Sequence, residues 1–158
     1  MTPKHIAVAT DLSPSSAAAL RFALNLAAPL GAQVTLLHAI EPTPMPGGLE
    51  AFALEGMPVG WEQRVTQARV ADAEHRLAAL AAQCGQAVGG TLKTQLVVGA
   101  LPEAILEQLT PLAIDLLVVG THGRRGLAHF FLGSAAERLL RGASCPVVVV
   151  RPDATPAS

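Results

Sequence analysis

Gly120-Thr-His-Gly123, nine further residues and then Gly133-Ser134 make a spacing suited to holding phosphate. Glycine has no Cβ, so the main chain can turn with positive φ and come close to a ligand. The residues from Ala135 to Arg141 read as a helix. A helix start offers N–H groups that lack intrahelical acceptors, together with the positive end of the macrodipole. Ser134 falls where its hydroxyl could cap that helix or touch a phosphate oxygen.

Other residues near this spacing carry two readings each. His122 and His129 are either general bases toward a water near a terminal phosphate or solvated spectators. Arg124 and Arg125 either clamp phosphate oxygens or form a solvated pair. Asp11 is either a turn residue that helps Ser13 cap the next helix or a ligand contact. Cys84 and Cys145 read as small buried side chains in a reducing compartment rather than as a disulfide. The five histidines show no zinc-binding spacing.

Several alternatives drop out. The chain has no G-x-x-x-x-G-K-[ST], so no P-loop lysine reaches terminal phosphates. Gly120, Gly123 and Gly126 do not form G-x-G-x-x-G, and no G-x-S-x-G elbow is present. Without a lysine or a metal-binding acidic pair, fast hydrolysis is not expected. Any magnesium would be held mainly by the phosphates, with Ser134 assisting.

The loop needs elements to position it. Lys4 to Thr10 is an apolar run and reads as the first strand. Ser13 then caps a helix with Pro14 at its first position. Leu20, Ala23, Leu24 and Ala27 give that helix an inward stripe, Arg21 and Asn25 face away, and Gly31 closes it. Gln33 to Ile40 is the second strand, with His38 as a core or edge histidine. Prolines and glycines interrupt every pattern across residues 41–60, which reads as a lid-like loop. A helix runs from Trp61 to about Cys84, with Leu77, Leu80, Ala81 and Cys84 on one side and Arg69, Asp72 and Arg76 solvated.

Thr91 to Val98 is the third strand. Pro102 opens a helix that turns Ile105, Leu106 and Leu109 inward and ends near Pro111. Ile114 to Val119 is the fourth strand, the last helix stops at Gly142, and Pro146 to Arg151 is the fifth strand. Strands alternating with helices, over connections too long for hairpins, predict an α/β fold of three layers around a parallel sheet. Ligands of such sheets bind beyond the strand C-termini, where strand order reverses. If the first and fourth strands are neighbours, Asp11 and Gly120 form opposite lips of one crevice; spacing alone leaves that order open.

The chain of 158 residues is expected to be one domain, residues 1–152, with a short polar tail at 153–158. Apolar residues make up 51% and charged residues 15%, which argues against disorder. A formal net charge of −1 argues against a nucleic-acid binder. No apolar run is long enough to predict a membrane span, and the N-terminus reads straight into a strand, so a cytoplasmic location is expected. If Val147, Val148, Val149 and Val150 form a sheet edge, that apolar edge calls for cover, and pairing with a second copy supplies it.

The chain resembles the universal stress protein family, in its nucleotide-binding branch. The resemblance is carried by Gly120, Gly123, Gly133 and Ser134 in the G-2x-G-9x-G-S/T pattern. It is carried also by Ala9-Thr10-Asp11-Leu12-Ser13 near the start and by Gly133 to Glu137 and Cys145 to Val150 near the end. It implies a Rossmann-like, adenine nucleotide alpha hydrolase-like fold with strand order 3-2-1-4-5, a homodimer, and ATP across the first and fourth strands. Ala9, Thr10 and Asp11 would then lie beside the nucleoside, with Asp11 at the ribose or adenine. The family often has proline where this chain has Ala9. Ala39 would meet the adenine through its backbone, and Val119 and Gly120 would line the ribose. Gly123, Arg124, Gly133, Ser134 and Ala135 would hold the phosphates. The implied function is a nucleotide-occupied stress-response module with slow or no hydrolysis. A slow ATPase or nucleotidyl transferase, or a dimeric scaffold with incidental nucleotide, are the alternatives.

Overall fold

The computed structural model describes residues 2–42, 60–85, 92–121 and 133–151. The first strand, β1 (His5–Ala9), buries Ile6, Ala7 and Val8 completely, so both faces of the sheet are covered there. Helix α1 (Pro14–Leu30) begins as its cap residues require. Ser13 is extended, with φ −86° and ψ 163°, and its Oγ accepts from Ser16 N–H at 3.3 Å. Gly31 ends the helix in the left-handed region at φ 62°, where its N–H and that of Ala32 reach the carbonyls of Ala28 and Ala27. The inward stripe is as expected: Leu20, Ala23, Leu24 and Ala27 are buried, while Arg21 and Asn25 face solvent. Each of those leucines contributes roughly 1.5–3 kcal/mol by leaving water.

Strand β2 (Gln33–Ile40) is followed by α2 (Trp61–Gly85), which buries Ala73 and Leu77. Then come β3 (Leu92–Val98), α3 (Glu103–Leu109), β4 (Leu116–Gly120), α4 (Ser134–Gly142) and β5 (Val147–Val150). Helix α3 ends at Leu109, with Thr110 as its C-cap, next to Pro111 as expected. Helix α4 runs to Gly142, where it was expected to stop, and Ala143 is its C-cap, donating to Leu139 O.

All four strand pairings are parallel, and the order is β3-β2-β1-β4-β5. One core lies between the sheet and α1 with α2, built from Ile6, Val8, Leu20, Leu24, Val34, Leu36, Leu77 and Val118. The other lies under α3 and α4, built from Ala7, Leu37, Ile105, Leu109, Leu117, Val119 and Leu139. Alternate residues of each strand feed the two cores, which is the period-2 consequence of a pleated strand. The β1–β2 and β2–β3 connections therefore use one face, and the β3–β4 and β4–β5 connections use the other. This is the three-layer α/β fold with the strand order that the family resemblance implied.

Candidate functional site

Strand order reverses between β1 and β4, and Ala9 stands directly opposite Val119 there. Beyond that rung, β1 departs into α1 on one face, while the chain after β4 returns as α4 on the other. Diverging connections of this kind open a crevice at the C-terminal edge of the sheet.

One lip is the β1–α1 turn. Thr10 is buried; its Oγ1 donates to Ser16 Oγ at 2.8 Å and accepts from Leu12 N–H at 3.0 Å. Ser16 Oγ in turn donates to Ser13 O at 2.8 Å. Asp11 Oδ1 accepts from Ser13 N–H at 3.0 Å, a turn that places the cap residue. Leu12 adopts φ 63°, a conformation costing a non-glycine residue about 1–2 kcal/mol. The neighbouring bonds of Thr10, Asp11 and Ser16 hold it there. His38, in β2, donates from Nδ1 to the Thr10 carbonyl at 2.7 Å. Ala39 follows it, one residue short of the end of the strand.

The other lip is the end of β4. Thr121 is buried, donates its N–H to Val150 O at 3.0 Å and accepts from Gly133 N–H at 2.9 Å. That second bond draws the start of α4 onto the end of β4. The first bond inside α4 runs from Glu137 N–H to Gly133 O. The N–H groups of Ser134, Ala135 and Ala136 therefore precede the helical ladder, and they lie at the positive end of its dipole. Ser134 and Ala135 are exposed, whereas Ala136 is buried and seats the turn on the core. Arg138 pins the next turn, pairing with Glu103 and donating to Leu101 O at 3.2 Å.

Two local expectations are corrected. Ser134 does not cap α4: Gly133 is the N-cap, no side-chain cap bond is made, and Ser134 is the first helical residue. Nor do the described glycines of the motif turn with positive φ. Gly133 has φ −59°, and the positive-φ glycines among the described residues are Gly31 and Gly60.

The structure thus brings Ala9, Thr10, Asp11, Ala39, Val119, Gly120, Gly133, Ser134 and Ala135 to one edge of the sheet. Gly123 and Arg124, along with His122, Arg125, His129 and most of the 41–60 loop, lie outside the described residues. Sequence reading passed over Thr121 and Ser16 and took His38 as a core or edge histidine. The available signal was polarity at the strand ends: His38 interrupts an apolar run, and Thr121 directly follows one.

Two titratable groups outside the crevice have identifiable partners or surroundings. Asp115 Oδ2 accepts from the N–H groups of Lys4 at 2.8 Å and His5 at 3.0 Å, at the opposite edge of the sheet. Those two bonds, Lys4 first, hold its carboxyl below the usual range. Burial pushes the Cys145 thiol up; both cysteines are free, and each is partly buried against a core rather than fully buried as expected. Among the described residues no cluster of His, Cys, Asp and Glu could hold a metal, and no helix is long and apolar enough to cross a membrane.

Fold and site together define a doubly wound parallel α/β protein whose switch-point crevice faces a helix N-terminus. Residues 2–151 match the model of the universal stress protein family. The chain belongs to that family. It is 35% identical over 147 residues to Universal stress protein A homolog 1 of Coxiella burnetii, covering 93% of this chain and 95% of that one. Among solved structures, it matches the hypothetical protein MJ0577 with TM-score 0.78 and 24% identity over the whole of both chains. A universal stress protein in complex with cAMP matches with TM-score 0.65 and 24% identity, covering 97% of this chain and 100% of that one. The universal stress protein from Archaeoglobus fulgidus in complex with dAMP matches with TM-score 0.63 and 22% identity, covering 94% and 98%.

Proposed function

We propose that this protein is an ATP-binding universal stress protein, a nucleotide-occupied regulatory module in the stress response with slow or no hydrolysis. The observation that carries the reading is the Gly133 N–H bond to Thr121 O, which sets three helix-start amides beside the β1–β4 switch point. Such amides with a helix dipole behind them suit an anion. The cAMP and dAMP complexes of the structural neighbours support an adenine nucleotide in this crevice.

In this reading Ala9, Thr10, Asp11 and the Ala39 main chain face the nucleoside, and Val119 and Gly120 line the ribose. Gly133, Ser134 and Ala135, with Gly123 and Arg124, hold the phosphates. The donor set fits a triphosphate tail: main-chain N–H groups that need no proton exchange, and small side chains that do not fill the approach. The described residues supply no metal cage, so Mg2+ would ride on the phosphates beside Ser134. The working unit is a homodimer that pairs along β5, formed by one domain over residues 1–152.

Calorimetry with Mg-ATP tests the site through Gly133→Val. The backbone there is at φ −59°, which valine adopts without strain, so the variant is expected to fold, with its side chain over the approach to the amides; thermal unfolding of the variant checks this. Binding by the wild type and its loss in the variant are expected. Equal affinity in both would remove the phosphate site from α4.

A further inference from the structure

Successive residues of a strand in a parallel sheet send their main-chain groups to opposite neighbours. Along β2 the odd positions face β1: Thr10 N–H donates to Leu37 O at 2.9 Å, and Leu37 is the partner of Ala9. The even positions face β3: Gly99 N–H donates to Ile40 O at 3.0 Å, and Ile40 is the partner of Val98. Ala39 is the next odd position, so its N–H and C=O point to the β1 side, just past the last β1–β2 rung. Regular pairing would add one more rung there, from Ala39 N–H to Thr10 O.

That rung is not made. Instead the Thr10 carbonyl accepts from His38 Nδ1 at 2.7 Å. His38 is buried and shares its strand face with Val34 and Leu36, which pack in the core under α1 and α2. A polar ring on that face is explained by the carbonyl it holds, since a buried polar group without a partner is costly. The turn is also pulled toward α1 from the other side, by Thr10 Oγ1 bonding to Ser16 Oγ at 2.8 Å.

The geometry points to His38 as the positioning residue that parts β1 from β2. Its imidazole occupies the Thr10 carbonyl and so releases the Ala39 main-chain edge into the crevice. The released N–H and C=O match a planar nitrogen heterocycle with a donor beside an acceptor, as adenine has in its N6 amino group and adjacent ring nitrogens. The identity of the ligand rests on the nucleotide reading above; the parting of the strands does not.

Amide NMR on the full chain, with AMP as the probe, tests it. In the wild type no through-hydrogen-bond coupling joins Ala39 N to the Thr10 carbonyl carbon. The Ala39 amide exchanges about tenfold faster than that of Leu37 or more, and AMP slows it. In His38→Leu the Thr10 carbonyl takes Ala39 N–H, so the coupling appears, and AMP affinity falls about tenfold. His38→Asn places an amide nitrogen where Nδ1 stood and restores both properties. An Ala39–Thr10 coupling in the wild type overturns the inference, and that measurement decides even if His38→Leu does not fold. Wild-type AMP affinity in a folded His38→Leu also overturns it. If the wild type ignores AMP while the Ala39 amide behaves as stated, the nucleotide reading falls and the strand-parting role of His38 stands.

Discussion

Asp11 and Asp115 sit at opposite edges of the same sheet, and each ties a turn down by accepting main-chain N–H groups. Asp11 orders the cap residue of α1, so Asp11→Ala is expected to lower stability by about 1 kcal/mol. On the nucleotide reading it also weakens Mg-ATP binding. Asp11→Asn keeps an acceptor for Ser13 N–H, so comparing the two variants by calorimetry separates the turn from the charge. For Asp115 the sign follows from its lowered folded-state pKa, set by the N–H groups of Lys4 and His5. It contributes stability above the ordinary carboxyl value of 3.8, and that contribution is lost as pH falls through the lower folded value. Urea unfolding across a pH series should show wild type and Asp115→Asn differing at neutral pH and converging in acid. A gap that is constant with pH would mean that the carboxylate charge is not what Lys4 and His5 hold.

Helix ends carry the next set of consequences. Gly31 closes α1 at φ 62°, and a Cβ there would meet nothing within 4 Å. Gly31→Ala therefore carries backbone strain without a clash, a loss of about 1 kcal/mol in chemical denaturation. Ala113, exposed and just beyond α3, shows the reverse case at φ 50°. Ala113→Gly should be neutral or stabilising by up to about 1 kcal/mol, since relief of strain exceeds the added chain entropy. Cap chemistry made α1 legible in the sequence, because Ser13, Pro14 and Gly31 act on their own neighbours. It misled at α4, where Ser134 looked like a cap. Gly133 took that place because its N–H is drawn to Thr121 O, a bond to a residue in another element.

At the scale of the whole molecule, β5 is an edge with its even positions turned toward β4: Leu117 N–H donates to Pro146 O and Thr121 N–H to Val150 O, both near 3 Å. Val147 and Val149 therefore point their main-chain groups outward, where a second copy of β5 would pair. Val149→Pro removes an outward N–H while leaving the β4 ladder intact, because a strand edge tolerates proline. Light scattering should find a dimer in the wild type and a monomer in the variant, with little change in thermal stability of the protomer. A wild-type monomer at micromolar concentration would end the β5 dimer proposal. The sheet order gives the same lesson at larger scale. Alternating strands and helices led to a parallel sheet, while the position of β1 beside β4 came only through the family resemblance.

Taken alone, the residues determined the kind of each element, most of its ends and the faces it buries. Those properties depend on neighbours three or four positions away, on strand alternation and on local caps, all of which are written along the chain. The tertiary structure alone decided which main-chain groups at the sheet edge are taken and which are left to the crevice. His38 holds the Thr10 carbonyl and Gly133 meets Thr121 across separations of 28 and about a dozen residues, after the strands have been ordered. Periodicity cannot reveal such partners, because a hydrogen bond between distant segments leaves no repeating trace in either one.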